Sequence, residues 1–368
     1  MKEKLRLWLE KADTFVAKKF TYIPYVQKIF FVDHLRTMVH AGLSIVEALD
    51  ILSKEISNKS FKLIIGSIKK EVESGKQLSE ILEKYPKVFP SIYVKMIASG
   101  EISGKLEEAL EQVTIQMKKT QELTSSIRGA MIYPSIIITV MGVIGILMAT
   151  MVLPKLIELF EDFDTELPLA TRILIAVTNF LSNPLNLSLI ITGLLLSIIT
   201  FVFLLRRSIK FKRFIHKINL HLPIFGKVIK KINLARFSLT LSSLLKSTIP
   251  IVDALGITAD TCSNVLYREA VKKSAKKLKS GEELSSTLGF YPKIFPPMVT
   301  EMIMVGEKTG EVDRLLVELS DFYNKEVEKT LKNFTTIIEP AIIVLIGIAV
   351  AGMAVAVIMP MYTLVQNF

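Results

Sequence analysis

Three long apolar stretches dominate the pattern of hydrophobic and polar positions, and between them they carry one charged residue, Glu339. Each is at least as long as the roughly 20 apolar residues that cross a bilayer as a helix. The pattern therefore predicts transmembrane helices at residues 130–154, 185–205 and 337–360. Buried helices of a large soluble protein are the alternative, and the length and number of the stretches argue against it.

Outside these stretches, apolar residues recur every three or four positions, which is the spacing of helices. In the segment 28–128, for example, Phe31, Leu35 and Val39 fall on one helical face. The alternation of apolar and polar residues that marks strands is nowhere convincing. The sequence therefore predicts an all-α integral membrane protein whose water-facing parts are two homologous bundles of about six helices each.

The two bundles are predicted to be copies of one unit, because the chain repeats itself at an offset of 206 residues. YPKVFP at 85–90 returns as YPKIFP at 291–296, and 11 of the 26 positions from Tyr85 to Leu110 are identical in the second copy. The register continues into the apolar stretches, where Pro134 matches Pro340. Both prolines are predicted near the start of a transmembrane helix, where proline is tolerated best. The unit is thus a helical domain followed by one membrane-spanning helix.

Basic residues are concentrated on one side of the predicted transmembrane helices. Residues 1–131 carry a net charge of +5 and residues 206–335 one of +10, whereas residues 154–186 carry −3. By the positive-inside rule, both helical domains face the cytoplasm, so the repeat is parallel rather than inverted. Such a basic face suits anionic lipid or an acidic partner. It lacks a recognised nucleic-acid-binding module, so direct nucleic-acid binding is not expected.

The predicted organisation follows from these patterns. The N-terminal segment is predicted to be amphipathic rather than a signal peptide, because charges interrupt its apolar positions. In chain order, the segments are the amphipathic segment 1–27, the first cytoplasmic helical domain 28–128, a transmembrane helix 130–154, an acidic extracytoplasmic loop 155–184, a second transmembrane helix 185–205, the second cytoplasmic helical domain 206–335, a third transmembrane helix 337–360 and an extracytoplasmic tail 361–368.

Two short motifs stand out in each copy, YPxxFP and the GExxG that follows it. The prolines fix a turn between two helices, and the aromatic residues are suited to wedge beneath that turn. In GExxG the glycines provide positive φ or close backbone approach, and the carboxylate is placed near the N-terminus of the following helix. The motifs predict a structural corner and cap, with a contact surface for a partner as the alternative. The residues concerned are Tyr85, Pro86, Phe89, Pro90, Gly100, Glu101 and Gly104, and in the second copy Tyr291, Pro292, Phe295, Pro296, Gly306, Glu307 and Gly310.

The sequence offers little for catalysis or for holding a cofactor. Its four histidines sit in no zinc-binding pattern, and its single cysteine, Cys262, excludes an internal disulfide and a cysteine-built zinc site. Lys308 and Thr309 imitate the end of a P-loop, but Glu307 stands where that motif needs glycine. We therefore expect no cofactor, no metal and no enzymatic activity.

The predicted transmembrane helices carry two candidate features. Glu339 is the only acidic or basic residue in them, and an intramembrane carboxylate is a functional candidate by default. It raises a transporter or channel as an alternative, although one carboxylate near a membrane boundary makes a poor ion pathway. Small residues four apart let helices approach closely and predict self-association. These are Gly145 with Ala149, Gly347 with Ala351, and Gly352 with Ala356.

The paired motifs, the segment LSSLLKSTIPIVDAL at 241–255 and the Glu-Pro that opens the last apolar stretch resemble the type II secretion F family. The resemblance extends over nearly the whole chain beyond the first thirty residues. It implies a non-catalytic platform in the bacterial inner membrane that couples a cytoplasmic assembly ATPase to pilin insertion during type IV pilus assembly. Platforms of type II secretion or of DNA uptake are alternatives within the family. The implied partners are the ATPase, pilin or pseudopilin subunits, other inner-membrane assembly proteins and further copies of the chain.

One position departs from the family pattern. Members often carry glycine before this segment in both copies, and here the first copy keeps Gly42 whereas the second has Thr248. The threonine argues against a required glycine backbone geometry at this position.

Overall fold

The computed structural model describes residues 23–152, 183–222 and 225–366, together with isolated positions between 154 and 180. The described residues are helices joined by short turns, which confirms the predicted all-α class. Most of the predicted amphipathic segment and of the acidic loop, and the last two residues of the predicted tail, lie outside the described residues.

The described part of the first copy is a series of short helices that leads into a long one. Its helices begin after polar caps at two points: Ser44 and Glu47 form a reciprocal capping box, and the Asn58 side chain accepts from the backbone N–H of Phe61. The helices are α1 Tyr25–His40, α2 Ile45–Glu55, α3 Lys59–Glu73, α4 Leu78–Glu83, α5 Ser91–Ser103 and α6 Leu106–Leu147, after which a single π-helical turn follows at Met148–Val152.

Two helices lie between the copies in the described residues, α7 Pro184–Arg207 and α8 Ile209–His221. Asn183 caps α7, and Pro184 occupies its first turn, where the missing N–H of proline costs nothing. The axes of Thr192–Arg207 and α8 are bent by 106° at the break between them.

The second copy repeats the helix order of the first. The helix Pro297–Thr309 ends in a left-handed residue, Gly310, where the chain turns sharply. The helices are α9 Phe225–Lys246, α10 Ile251–Thr261, α11 Val265–Leu278, α12 Leu284–Gly289, α13 Pro297–Thr309 and α14 Val312–Gln366.

Where the structure describes them, the apolar stretches are helical, and two helices of this part of the chain are long and apolar enough to cross a membrane: α6 and the Val312–Gly352 part of α14. A third crosses if the bent pair of α7 and α8 counts as one span. Pro134 lies inside α6 instead of near a helix start, because that helix already begins at Leu106 in the first copy. The missing backbone hydrogen bond is of the kind that transmembrane helices tolerate.

The chain divides into two compact units. One unit consists of the chain up to Ser125 together with Asn219–Val327, and so contains the short helices of both copies. The other consists of Ser126–Ile218 and the chain from Glu328 onward, and so contains the apolar helices.

Three aromatic rings pack together in the core of each copy. In the first copy Phe31 lies 5.5 Å from Phe61 and 5.7 Å from Phe89 between ring centroids. The tilted and edge-on arrangements suit the ring quadrupoles. In the second copy the same three positions hold Phe237, Tyr267 and Phe295, with centroid distances of 5.2 and 5.4 Å to Phe295.

The two copies pack against each other within the first unit, through small polar side chains. Ser243 Oγ donates to Gln116 Oε1 at 2.8 Å, and Ser99 Oγ donates to the carbonyl of Ser247 at 2.6 Å. Lys119 Nζ lies 2.6 Å from Asp321 Oδ1. Between residues 233 and 244, α9 is buried over most of its circumference, because it packs against helices of its own copy and against the first copy.

Candidate functional site

The YPKVFP corner joins α4 to α5 and buries its aromatic residues beneath a tight turn. The carbonyl of Tyr85 accepts from the backbone N–H of Phe89 at 2.9 Å, which closes the turn. The Tyr85 hydroxyl donates to Ser67 Oγ at 3.1 Å, and the Phe89 ring belongs to the aromatic trio of the core. Pro86 and Pro90 lie on the exposed side. The predicted wedge of aromatic residues is therefore present in this copy.

The second corner has the same backbone closure and a slightly looser packing. The carbonyl of Tyr291 accepts from the N–H of Phe295 at 2.9 Å, and Phe295 is buried. Tyr291 itself is half-exposed, and Pro292 is exposed while Pro296 is half-exposed. In this copy a tyrosine of α11 contacts the turn instead: the Tyr267 hydroxyl donates to the carbonyl of Ile294 at 2.8 Å.

The carboxylate of the GExxG motif caps a helix other than the one predicted. Glu101 accepts from the backbone N–H groups of Leu78 and Ser79 at 2.6 and 3.0 Å, so it caps α4, not the following helix α6. Glu307 caps α12 in the same way, with distances of 2.5 and 3.1 Å. The prediction that a carboxylate satisfies a helix N-terminus holds. The helix lies earlier in the chain, however, and tertiary packing brings its N-terminus to the glutamate.

The two glycines of each motif have different roles. A Cβ on Gly100 would lie 2.3 Å from the Cβ of Ala109, and one on Gly306 would lie 2.8 Å from the Cα of Val312. These glycines let two successive helices cross closely. Gly104 and Gly310 have φ values of +72° and +77° and end α5 and α13 in the left-handed conformation. Both predicted uses of glycine, close approach and positive φ, are thus observed.

Thr248 keeps the backbone geometry that glycine supplies in the first copy. Its φ is +59°, and that of Gly42 is +83°. The interpretation that the threonine argues against a required glycine geometry is therefore wrong. The turn is retained, and a β-branched residue holds a left-handed conformation that costs L-residues about 1–2 kcal/mol. The Thr248 hydroxyl lies 3.3 Å from Ser99 Oγ, in the interface between the copies.

The candidate residues of the apolar helices have fewer neighbours among the described residues than the corner motifs have. Glu339 is exposed on α14, and a Cβ on Gly145, Gly347 or Gly352 would meet no atom of the described residues within 4 Å. Ala351 is exposed, whereas the side chains of Ala149 and Ala356 lie outside those that the structure describes. The assignment of these residues to helix association remains a prediction.

The contacts between the copies were not found from the sequence. Gln116 is 3% exposed and accepts from Ser243 across the interface, and Ser99 donates across it to the carbonyl of Ser247. The alignment of the two copies could have indicated this interface, because polar residues of the first copy are replaced by apolar ones in the second: Gln116 corresponds to Phe322 and Ser99 to Val305. Such paired changes mark a face that meets different surroundings in the two copies.

Chemically reactive groups do not converge on the motifs. Among the residues that the structure describes, no group of three or more histidine, cysteine or acidic side chains is arranged to hold a metal ion. Cys262 is fully buried in the second copy, and burial raises the pKa of its thiol to about 12. The thiol is therefore held in its unreactive protonated form. The contacts that the structure shows for the duplicated motifs lie at helix corners and helix N-termini.

The repeat seen in the fold has a counterpart among known families. The family described as type II secretion system (T2SS), protein F, matches twice, at residues 31–154 and 237–360. The chain belongs to this family. The two matched segments begin and end at an offset of 206 residues, which agrees with the repeat found in the sequence.

Curated relatives match the chain along most of its length. A protein of Thermus thermophilus named type IV pilus assembly protein PilC is 35% identical over 336 residues, which cover 91% of this chain and 82% of the relative. Its namesake in Myxococcus xanthus is 34% identical, with 91% and 80% covered. A protein of Aeromonas hydrophila named type II secretion system protein F is 31% identical, with 90% and 84% covered.

Proposed function

We propose that the chain is the inner-membrane platform of a type IV pilus assembly machine, which couples a cytoplasmic assembly ATPase to the insertion of pilin subunits. The observation that carries this proposal is the duplicated family unit, in which each copy is a helical domain that ends in a long apolar helix. Pilus assembly is preferred to secretion because relatives named for pilus assembly reach 34 and 35% identity, whereas relatives named for type II secretion reach 31%.

In this proposal three helices cross the membrane and both six-helix domains face the cytoplasm, with the segment boundaries given above. The α7 helix has 24 residues, which corresponds to about 36 Å and suffices for a hydrocarbon core of about 30 Å. The basic flanks of the apolar stretches support this orientation. The acidic segment between the first two spans and the C-terminal tail then lie outside the cytoplasm.

The α8 helix is proposed to lie along the cytoplasmic membrane surface. Its 106° bend from the preceding helix would place it in the bilayer plane once α7 crosses. Phe214 and Ile218 are exposed on one side, and Arg213 is exposed on another. A helix with an apolar face and a basic face suits an interface of anionic lipid.

Force transmission is proposed to use the long helices. The α6 helix is continuous from Leu106 to Leu147, and α14 is continuous from Val312 to Gln366. Each therefore contains residues of a water-facing domain and of an apolar stretch. A push received by the cytoplasmic domains would reach pilin helices in the bilayer through these two helices.

The corner motifs are assigned a structural role in this proposal, and catalysis is left to the ATPase. Their buried aromatic residues and capping carboxylates already have partners within the fold. Because some of the corner prolines are exposed, the alternative is that they form a contact surface for a partner. Pro86→Ala and Pro292→Ala preserve the buried rings, and we expect both variants to retain ATPase pull-down. Loss of the ATPase would favour the contact surface.

Glu339 and the small residues of the apolar helices are assigned to contacts between helices, of this chain or of pilins. A conduit would instead need ion flux through the purified protein in liposomes. We expect none above that of empty liposomes, and flux abolished by Glu339→Gln would favour the transporter.

Deletion of the gene tests the platform role directly. We expect surface filaments to be lost while pilin accumulates in the membrane, and filaments to return on complementation. Normal filaments in the deletion strain would overturn the proposal. If filaments persist while secreted enzymes are retained in the cell, the chain serves type II secretion instead.

A further inference from the structure

The interface between the two copies has a docking face and a receiving face. The docking face, on the first copy, is the surface of α5 and α6 that contains Ser99 and Gln116. The receiving face, on the second copy, is the surface of α9 and the turn after it that contains Ser243, Ser247 and Thr248. Both faces are built from elements that the other copy also possesses.

The docking face of the second copy is open and apolar. Val305 occupies the position of Ser99 and is 49% exposed, and Phe322 occupies that of Gln116 and is 41% exposed. Met304, beside them, is 36% exposed. Large apolar side chains grouped on a water-facing surface mark a site of association.

The receiving face of the first copy is open as well. Thr37 corresponds to Ser243 and Ala41 to Ser247, and both are exposed although their counterparts are buried. The turn beside them has the same left-handed conformation in both copies, at Gly42 and at Thr248. The backbone of this face is therefore prepared for the same kind of contact.

The contact within the chain runs from head to tail. A two-fold arrangement of the copies would also bring Phe322 onto Thr37 and Val305 onto Ala41, and all four side chains are exposed. One docking face and one receiving face are consequently left over on every chain. A heterologous contact of this kind can repeat from chain to chain.

We infer that the docking face of the second copy binds the receiving face of the first copy of another molecule of this chain, so that the packing within the chain continues between chains. The argument uses contacts within the chain and does not rest on the proposed function.

The side chains at the two open faces fit each other. Gln116 Nε2 lies 3.4 Å from Thr240 Oγ1, and these positions correspond to Phe322 and His34. Phe322 would therefore meet the pair of Phe30 and His34, whose ring centroids lie 3.8 Å apart with the rings tilted by 30°. Val305 would cover the small Ala41, and aromatic and aliphatic contacts would replace the serine and glutamine hydrogen bonds.

One contact of the internal interface does not carry over. The ion pair of Lys119 with Asp321 corresponds to Lys325 with Ile115. The contact between chains therefore depends on apolar burial, and we expect it to persist at high salt.

Disulfide cross-linking between two differently tagged full-length chains in native membranes tests the inference. One chain carries Val305→Cys and the other Ala41→Cys, both in a Cys262→Ser background. The matched control replaces Val305→Cys by Lys273→Cys, an exposed position on α11. We expect a heterodimer band for the first pair at a yield at least five-fold above the control. Equal yields would overturn the inference, and so would a band from Val305→Cys alone, which would show a two-fold contact.

A second measurement uses surface substitutions that leave the core untouched. The double variant Val305→Ser and Phe322→Gln places the residues of the first copy on the second copy. We expect its mass in detergent, measured by light scattering, to fall to that of a single chain. Phe290→Gln removes another exposed aromatic side chain of the second copy and should leave the mass of the unmodified protein. An unchanged mass in the double variant would contradict the inference.

Discussion

Thr248 is a strained residue whose strain can be measured against a glycine in the same protein. Thr248 and Gly42 have φ values of +59° and +83° at equivalent positions. Thr248→Gly should raise the free energy of unfolding by about 1 kcal/mol, because glycine adopts this conformation without steric cost. Chemical denaturation in detergent monitors the change.

The reciprocal substitution serves as the control. No atom lies within 4 Å of a Cβ placed on Gly42, so Gly42→Thr would add conformational strain without a clash. We expect a loss of about 1–2 kcal/mol. A stabilising Gly42→Thr would show that position 42 does not depend on its left-handed geometry. A destabilising Thr248→Gly would show the same for position 248.

The glutamates of the GExxG motifs show what single residues reveal in a sequence and what they conceal. The sequence predicted that the carboxylate satisfies a helix N-terminus, because acidic residues favour such positions. It could not predict which helix, since Glu101 reaches back to Leu78 and Ser79 across a tertiary contact. Sequence spacing indicates which residues are neighbours along one helix, whereas Leu78 and Ser79 belong to a different helix from Glu101.

At the scale of the elements, the crossing of α5 and α6 depends on a missing side chain. A Cβ on Gly100 would come within 2.3 Å of the Cβ of Ala109, so Gly100→Ala must push the helices apart. We expect a loss of about 1–3 kcal/mol in unfolding free energy, the usual cost of overpacking. Denaturant titration measures it.

A second glycine in a helix of the same copy provides the control. Gly66 lies within α3 and has open space around its Cα. Gly66→Ala should be neutral or stabilising by up to about 1 kcal/mol, the difference in helix propensity. Equal effects of the two substitutions would mean that helix propensity, and not the crossing, decides the cost at Gly100.

The bend before α8 leads to a prediction about depth in the membrane. Spin labels at Phe214→Cys and Arg213→Cys should report opposite surroundings in reconstituted vesicles, because the two side chains leave different faces of the helix. We expect oxygen to relax the label at position 214 more strongly and a water-soluble nickel chelate to relax the one at 213. Equal accessibility of both positions to the chelate would contradict an interfacial helix.

The helices themselves were largely accessible from the sequence. Periodic apolar residues located the short helices, and uncharged stretches located the long ones. The sequence also indicated that the helix starting near Leu106 runs on into the apolar stretch, although the pattern there changes from amphipathic to fully apolar. The structure shows one helix across that change, with Pro134 in its interior.

At the scale of the whole molecule, duplication made the architecture readable. Two copies with one register predicted equivalent helices, and the family match covers the same two segments. The packing of one copy on the other was not predictable, because the residues that make it differ between copies: Ser99 and Gln116 are replaced by Val305 and Phe322. Identical positions carry the fold of a copy, and differing positions carry its relation to its neighbours.

The central claim is that both helical domains lie on the cytoplasmic side of one membrane. Lys62→Cys and Lys273→Cys place single exposed thiols in the first and second copies, in a Cys262→Ser background. A membrane-impermeant maleimide should label both positions in inverted membrane vesicles and neither in intact spheroplasts, whereas Asp162→Cys in the acidic segment should show the reverse. Labelling of Lys62→Cys and Lys273→Cys from opposite sides would contradict the account.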